Sequence, residues 1–244
     1  MASLILYYLL KVSDLKGNEF AAKTIVTTDL IDKMCASKGV PCYNTLTGFK
    51  YIAELIRENE GKKTFVAAGE ESYGYMVGDF VRDKDAVASA VMIAEMAANA
   101  KAQGRTVLQQ LEAIHREFGQ YQERLISITK KGRSGAQEIA DMMTALRNDP
   151  PKTLAGSPVV IAIDHNNSTQ TDLRTGATSS TALPASNVLQ FITEAGDKVS
   201  ARPSGTEPKI KFYFSVRATT SDRHAATKSE LERKIDTFIE ELNL

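Results

Sequence analysis

Four short segments hold the residue types that do chemistry on a phosphorylated, hydroxyl-rich ligand. Near the C-terminus, Arg202-Pro203-Ser204-Gly205-Thr206-Glu207-Pro208-Lys209-Ile210-Lys211 gathers a guanidinium, two hydroxyls, a glycine and ammonium groups. Arg offers a planar fork matched to phosphate oxygens, and Lys a point charge. The plainer reading is a Pro-Ser-Gly turn between two strands. A second segment, Gly69-Glu70-Glu71-Ser72-Tyr73-Gly74, follows a strand-like run. Carboxylates accept from sugar hydroxyls, Ser donates or accepts, and glycines let backbone approach a ligand. Here the plainer reading is an acidic turn leading to the next helix. Arg82-Asp83-Lys84-Asp85 offers two cations for an anionic ligand, with Lys84 able to move a proton if a neighbouring cation or burial depresses its pKa. Taken alone, it reads as a charged helix entry. In Thr45-Leu46-Thr47-Gly48-Phe49-Lys50, Lys50 and first-turn amides suit a phosphate, although an apolar staple at Phe49 explains the segment as well.

These segments need elements that aim them. The apolar run Leu4–Leu10 reads as a buried helix. Lys23–Thr28 reads as a strand, followed by a helix capped by Asp29 that ends near Gly39. Val40–Tyr43 is a short strand, 49–60 an amphipathic helix with Ile52, Leu55 and Ile56 inward, and 64–68 a third strand. Asp83 or Asp85 caps an Ala-rich helix running to about Ala102, and a further helix covers 106–118. Strands alternating with helices imply parallel βαβ units. Beyond residue 120 the pattern changes. Tyr121–Thr129 looks extended and 134–147 helical, then four strand-like segments follow at 158–164, 187–193, 197–202 and 209–217, before a last helix at 222–242. The polar stretch 165–185 reads as an exposed, mobile loop.

The order of the motifs removes the ambiguity that each has alone. TGFK, then GEESYG leading into RDKD, then RPSGTE running into a strand, resembles the α-D-phosphohexomutase family, in its phosphoglucomutase and phosphomannomutase branch. The resemblance covers essentially the whole chain and implies the third and fourth of that family's four domains. Residues 1–119 would be a mixed α/β three-layer domain, and 120–244 a small antiparallel four-stranded sheet with flanking helices. By the same resemblance, Glu70 and Ser72 bind adjacent sugar hydroxyls. Arg202, Ser204, Gly205, Thr206 and Lys211 hold the phosphate that is not transferred. Lys84 is the general acid/base candidate, and Arg82 and Lys50 are supporting cations.

Two family elements have no counterpart in the sequence. The phosphorylated serine of a Thr-Ala-Ser-His-Asn-Pro type loop is missing, because Asp164-His165-Asn166-Asn167-Ser168 falls in the wrong domain and order. So is the Mg2+ loop Asp-Gly-Asp-x-Asp-Arg. The expectation is therefore the C-terminal half of an isomerase that moves phosphate between the 1- and 6-positions of a hexose through a hexose 1,6-bisphosphate. Mg2+ and the phosphoserine would come from domains 1 and 2, and the chain alone would be inactive. A standalone phosphosugar-binding or regulatory module is the alternative. A subunit docking through its apolar first helix is a third possibility.

Composition bounds the rest. Of 244 residues, 43% are hydrophobic and 25% charged, so burial can drive folding. Thirty basic and thirty acidic residues cancel, which removes the electrostatic footprint of a general nucleic-acid binder, and Lys130-Lys131-Gly132-Arg133 reads as a solvated turn. Cys35 and Cys42 form no metal motif, and the three histidines have no ligand-like spacing. The first apolar run is too short to span a bilayer, so no membrane partner and a cytoplasmic location are expected.

Overall fold

The structure is a computed structural model that describes residues 1–130, 132–218 and 224–244. Lys131 and the expected start of the last helix at 222 lie outside the described residues. The described chain divides into two compact units, Met1–Gly119 and Gln120–Ala218 continued by the C-terminal helix.

The first unit opens with α1 (Ala2–Val12), followed by β1 (Glu19–Thr24), α2 (Leu30–Ser37), β2 (Cys42–Thr45), α3 (Phe49–Asn59), β3 (Thr64–Gly69), β4 (Tyr75–Val77), α4 (Ala86–Ala102) and α5 (Val107–Phe118). Its sheet has the order β2-β1-β3-β4, with β1 parallel to both β2 and β3. β4 returns antiparallel beside β3, which makes GEESYG a hairpin turn rather than the start of a crossover. Helices cover both faces. Side chains alternate across a strand, so Phe20 and Ala22 of β1 meet Phe49, Ile52 and Ile56 of α3. Lys23 points the other way, to Asp29 and Asp32 beside α2. α1 is the apolar element expected, with Ser3 to Leu10 all buried. Its N-terminus lies so close to β3 that a Cβ on Gly69 would stand 2.7 Å from that of Ala2.

Several boundaries are corrected. β1 begins at Glu19 and ends at Thr24, where the expected strand began at Lys23. All six residues of β1 are buried in the middle of the sheet, and the Thr27 N–H bonded to the Thr24 carbonyl closes a turn that stops the strand. Asp29 occupies the N-cap position of α2 without capping it; its carboxylate accepts from the Lys23 ammonium instead. Asp85, not Asp83, caps α4, accepting from the Ala88 N–H at 2.9 Å. Thr106 and Gln109 close a full capping box on α5.

The second unit contains β5 (Gln120–Thr129), α6 (Gly132–Asn148), β6 (Thr153–Leu154), β7 (Ser157–Asp164), β8 (Thr169–Asp172), β9 (Thr178–Ser180), β10 (Leu189–Thr193), β11 (Lys198–Pro203), β12 (Lys209–Ala218) and α7 (His224–Glu241). Its sheet is antiparallel, in the order β5-β12-β11-β10-β7-β8-β9 with β6 paired to β7. The four strands expected form its centre, and the count rises to eight. Part of the supposed mobile loop 165–185 is the hairpin β8–β9, paired onto β7. Its sequences TQTD and TSS lack an apolar alternation because the hairpin lies on the sheet edge with no buried residue. The core lies on one sheet face, where Val199, Ala201, Ile210, Phe212 and Phe214 meet α6 and α7 through Ile139, Met143, Ile235 and Phe238.

Candidate functional site

In the first unit, three of the expected segments meet. Glu70 leaves the C-terminal end of β3, the end at which open α/β sheets bind ligands. Its carboxylate accepts from the Gly48 N–H at 2.6 Å, tying the TGFK loop to the GEESYG turn. The turn closes on itself through the Glu70 N–H and the Gly74 carbonyl, 2.9 Å. Phe49 and Lys84 pack over Gly74, where a Cβ would fall 2.6 Å from the Phe49 ring and 3.0 Å from the Lys84 stem. Glycine here is a packing requirement. Tyr73 holds a φ of 64°, a left-handed backbone that non-glycine residues seldom adopt, and its ring is 85% exposed. Ser72 is exposed at the tip.

The cations fall into two groups. The Lys84 ammonium stands 5.0 Å from the centre of the Phe49 ring and 3.1 Å from Asp83. The expectation for Lys84 named burial or a neighbouring cation, but its side chain is 58% exposed and its charged neighbour is an anion. The Lys84 N–H and then its ammonium hold the Asp83 carboxyl below its ordinary value. Lys50 and Arg82 lie elsewhere, lining a cleft of about 630 Å³ with Tyr51, Ala53, Glu54, Arg57 and Asp83. Arg82 is paired to Glu60 at 3.0 Å, and the Lys50 ammonium sits over the Tyr51 ring. Arg57, on the α3 surface two turns after Lys50, was not expected there. Only its i+7 spacing from Lys50 marked it in the sequence.

In the second unit, RPSGTE is the turn of the β11–β12 hairpin. Arg202 and Lys211 are direct cross-strand partners, as are Pro203 and Ile210. Ala201, Ile210 and Phe212 face the helix-covered core, so alternation puts Arg202 and Lys211 on the opposite face of the sheet. The turn is built by Ser204. Its hydroxyl accepts from the Thr206 and Glu207 N–H groups, both at 3.3 Å, and its own N–H donates to the Lys209 carbonyl at 2.7 Å. Residues 203–208 line a cleft of about 420 Å³ whose other wall is α6, with Ile139 and Met143 as its apolar floor. Gly205 needs neither a left-handed φ nor empty space for packing, because nothing lies within 4 Å of a Cβ built on it.

No helix among the described residues is long and apolar enough to cross a membrane. Among them no group of three or more His, Cys, Asp or Glu side chains is placed to hold a metal ion.

The first unit is thus a mainly parallel sheet covered by helices on both faces, and the second an antiparallel sheet whose β11–β12 hairpin carries Arg202 and Lys211. Comparison with known proteins gives the family. Residues 1–118 match the family model of the phosphoglucomutase/phosphomannomutase α/β/α domain III. A phosphoglucomutase of Staphylococcus haemolyticus is 35% identical over 216 residues, 88% of this chain and 39% of the relative. One from Staphylococcus aureus is 34% identical over 222 residues, 91% of this chain and 40% of the relative. Among solved structures, the open form of the exocytosis-sensitive phosphoprotein pp63/parafusin of Paramecium, a phosphoglucomutase, superposes with a TM-score of 0.68. It is 20% identical, and the match covers 99% of this chain and 40% of that one. A putative phosphomannomutase of Thermus thermophilus gives a TM-score of 0.58 at 17% identity, covering 99% and 39%. Residues 1–118 belong to the phosphoglucomutase/phosphomannomutase family, and the similarity to curated phosphoglucomutases extends over 88% of the chain. The chain spans about 40% of the length of the curated relatives it matches.

Proposed function

We propose that this chain supplies the sugar-recognition and phosphate-holding part of a hexose-phosphate mutase. The first unit would act as the family's third domain and the second as its fourth. Glu70 and Ser72 receive sugar hydroxyls at the β3–β4 turn. Arg202, Ser204, Gly205, Thr206 and Lys211 take the phosphate that stays in place. Lys84, beside Gly74, is the proton-transfer candidate, and Lys50 and Arg82 contribute positive charge in their cleft. The observation that carries this reading is Gly205. Neither its backbone nor its surroundings demand glycine in the unliganded chain, so the missing side chain is best explained as room for a ligand against the turn.

In a phosphohexomutase the reaction is an isomerisation, with phosphate moving between the 1- and 6-positions of the hexose through a 1,6-bisphosphate. Phosphoryl transfer of this kind rests on positioning and on charge neutralisation. The phosphoserine and Mg2+ it employs would come from the family's first two domains. What this chain does is bind and orient, in a cytoplasmic setting. Glucose 1-phosphate incubated with the pure chain should therefore give no glucose 6-phosphate. Turnover that disappears in a Glu70→Ala variant would overturn this division of labour.

A further inference from the structure

Both glutamates of the β3–β4 turn read in the sequence as groups for sugar hydroxyls, but the second one is engaged by the protein. β1 and β3 are adjacent and parallel, with Lys23 opposite Gly69. Glu71, two residues past β3, therefore comes beside the end of β1. There Thr24 and Thr27, 0% and 4% exposed, face it with their hydroxyls. Thr24 donates to Glu71 Oε2 at 3.0 Å. Thr27 also reaches Glu71 Oε2, at 3.5 Å, and the two threonine hydroxyls share a 2.9 Å hydrogen bond in which either can donate. Thr27 is fixed in turn, because the buried Lys23 ammonium donates to its carbonyl at 3.2 Å while paired to Asp29 and Asp32.

We propose that Glu71 is a positioning residue, which the Thr24–Thr27 hydroxyl pair anchors so that Ser72 and Glu70 are presented to the sugar in one fixed geometry. The inference rests on the proposed sugar-binding role of the turn. A carboxylate accepting from a buried hydroxyl is a charge-assisted bond that water does not easily replace. Glu71 holds the turn from the β1 side, and Glu70 holds it from the Gly48 side. Two residues past Glu71 the backbone bears the left-handed Tyr73, a conformation that persists only where the surroundings impose it.

The test compares Glu71→Ala, Glu71→Gln and Thr24→Val by backbone amide exchange over residues 70–74 and by titration with glucose 1-phosphate. Losing one hydrogen bond to a charged group should speed local exchange and weaken binding about tenfold in Glu71→Ala and Thr24→Val. Glu71→Gln keeps an acceptor for Thr24 but loses the charge, and should fall between wild type and Glu71→Ala in both measurements. If Glu71→Ala weakens binding while exchange over 70–74 is unchanged, Glu71 touches the sugar itself and the proposal fails. Unchanged exchange in every variant also overturns it. Should the wild-type chain bind no glucose 1-phosphate at millimolar concentration, the proposed function fails, and the exchange pattern alone decides the role of Glu71. If Glu71→Ala does not fold, Thr24→Val, which removes only a hydroxyl, carries the test.

Discussion

Gly205 and Gly74 separate two uses of the same residue. At Gly74 a side chain would collide with Phe49 and Lys84, so glycine there serves the packing of the first unit. At Gly205 a methyl group meets open space. Gly205→Ala should therefore leave thermal stability within about 0.5 kcal/mol of wild type and still weaken phosphosugar binding measurably. Calorimetric unfolding and a ligand titration check the two halves of that statement. A Gly205→Ala chain that binds as well as wild type would return RPSGTE to an ordinary turn. At this scale the sequence was informative where a site is contiguous. Glu70, Ser72 and the Arg202–Lys211 segment can be proposed as ligand groups from the sequence because their groups lie within a few residues of one another. Thr24 and Thr27 were not legible, because their link to Glu71 crosses more than forty positions and exists only once β1 and β3 are parallel neighbours. The ion pair of Lys84 with Asp83, which places an anion beside the proposed proton carrier, is likewise a matter of rotamer rather than of spacing.

Among the elements, β1 shows why strand limits were misread. A lysine inside a central strand breaks the apolar pattern, so the strand was expected to start at Lys23 instead of passing through it. Its burial is tolerated because Asp29 and Asp32 stand 3.0 and 3.1 Å from the ammonium. Burial pulls the Lys23 pKa down, but the two carboxylates outweigh it and leave the group above its ordinary value. The sign follows. A raised pKa gives stability that is complete below the unfolded lysine value, about 10.4, and is lost as pH rises through the folded value. Lys23→Met should lower stability by about 1–3 kcal/mol at neutral pH. The gap between the two proteins should then narrow in strongly alkaline solution. Denaturant unfolding at pH 7 and at a pH well above the unfolded lysine value measures it, and a gap that stays constant there would contradict the assignment. The β8–β9 hairpin was missed for a different reason. With no buried face its strands follow no alternation, and only pairing to β7 reveals them.

For the whole molecule, the class was legible from the change of pattern near residue 120, where strand-helix alternation gives way to a run of strands. The family was legible from the order of four motifs, and both readings agree with the fold and the relatives. The strand count of the second sheet was not, since edge strands leave little trace in composition. On the proposed reading, a chain spanning about 40% of its relatives already contains a preformed hold on a phosphosugar. Calorimetric titration of wild type and Arg202→Ala with glucose 1-phosphate, with inorganic phosphate as the control, tests this. Wild type should bind saturably, and removal of the guanidinium should weaken binding at least about tenfold, as expected for loss of a charge-assisted bond. Equal binding by the two proteins, or none at millimolar glucose 1-phosphate, would contradict it.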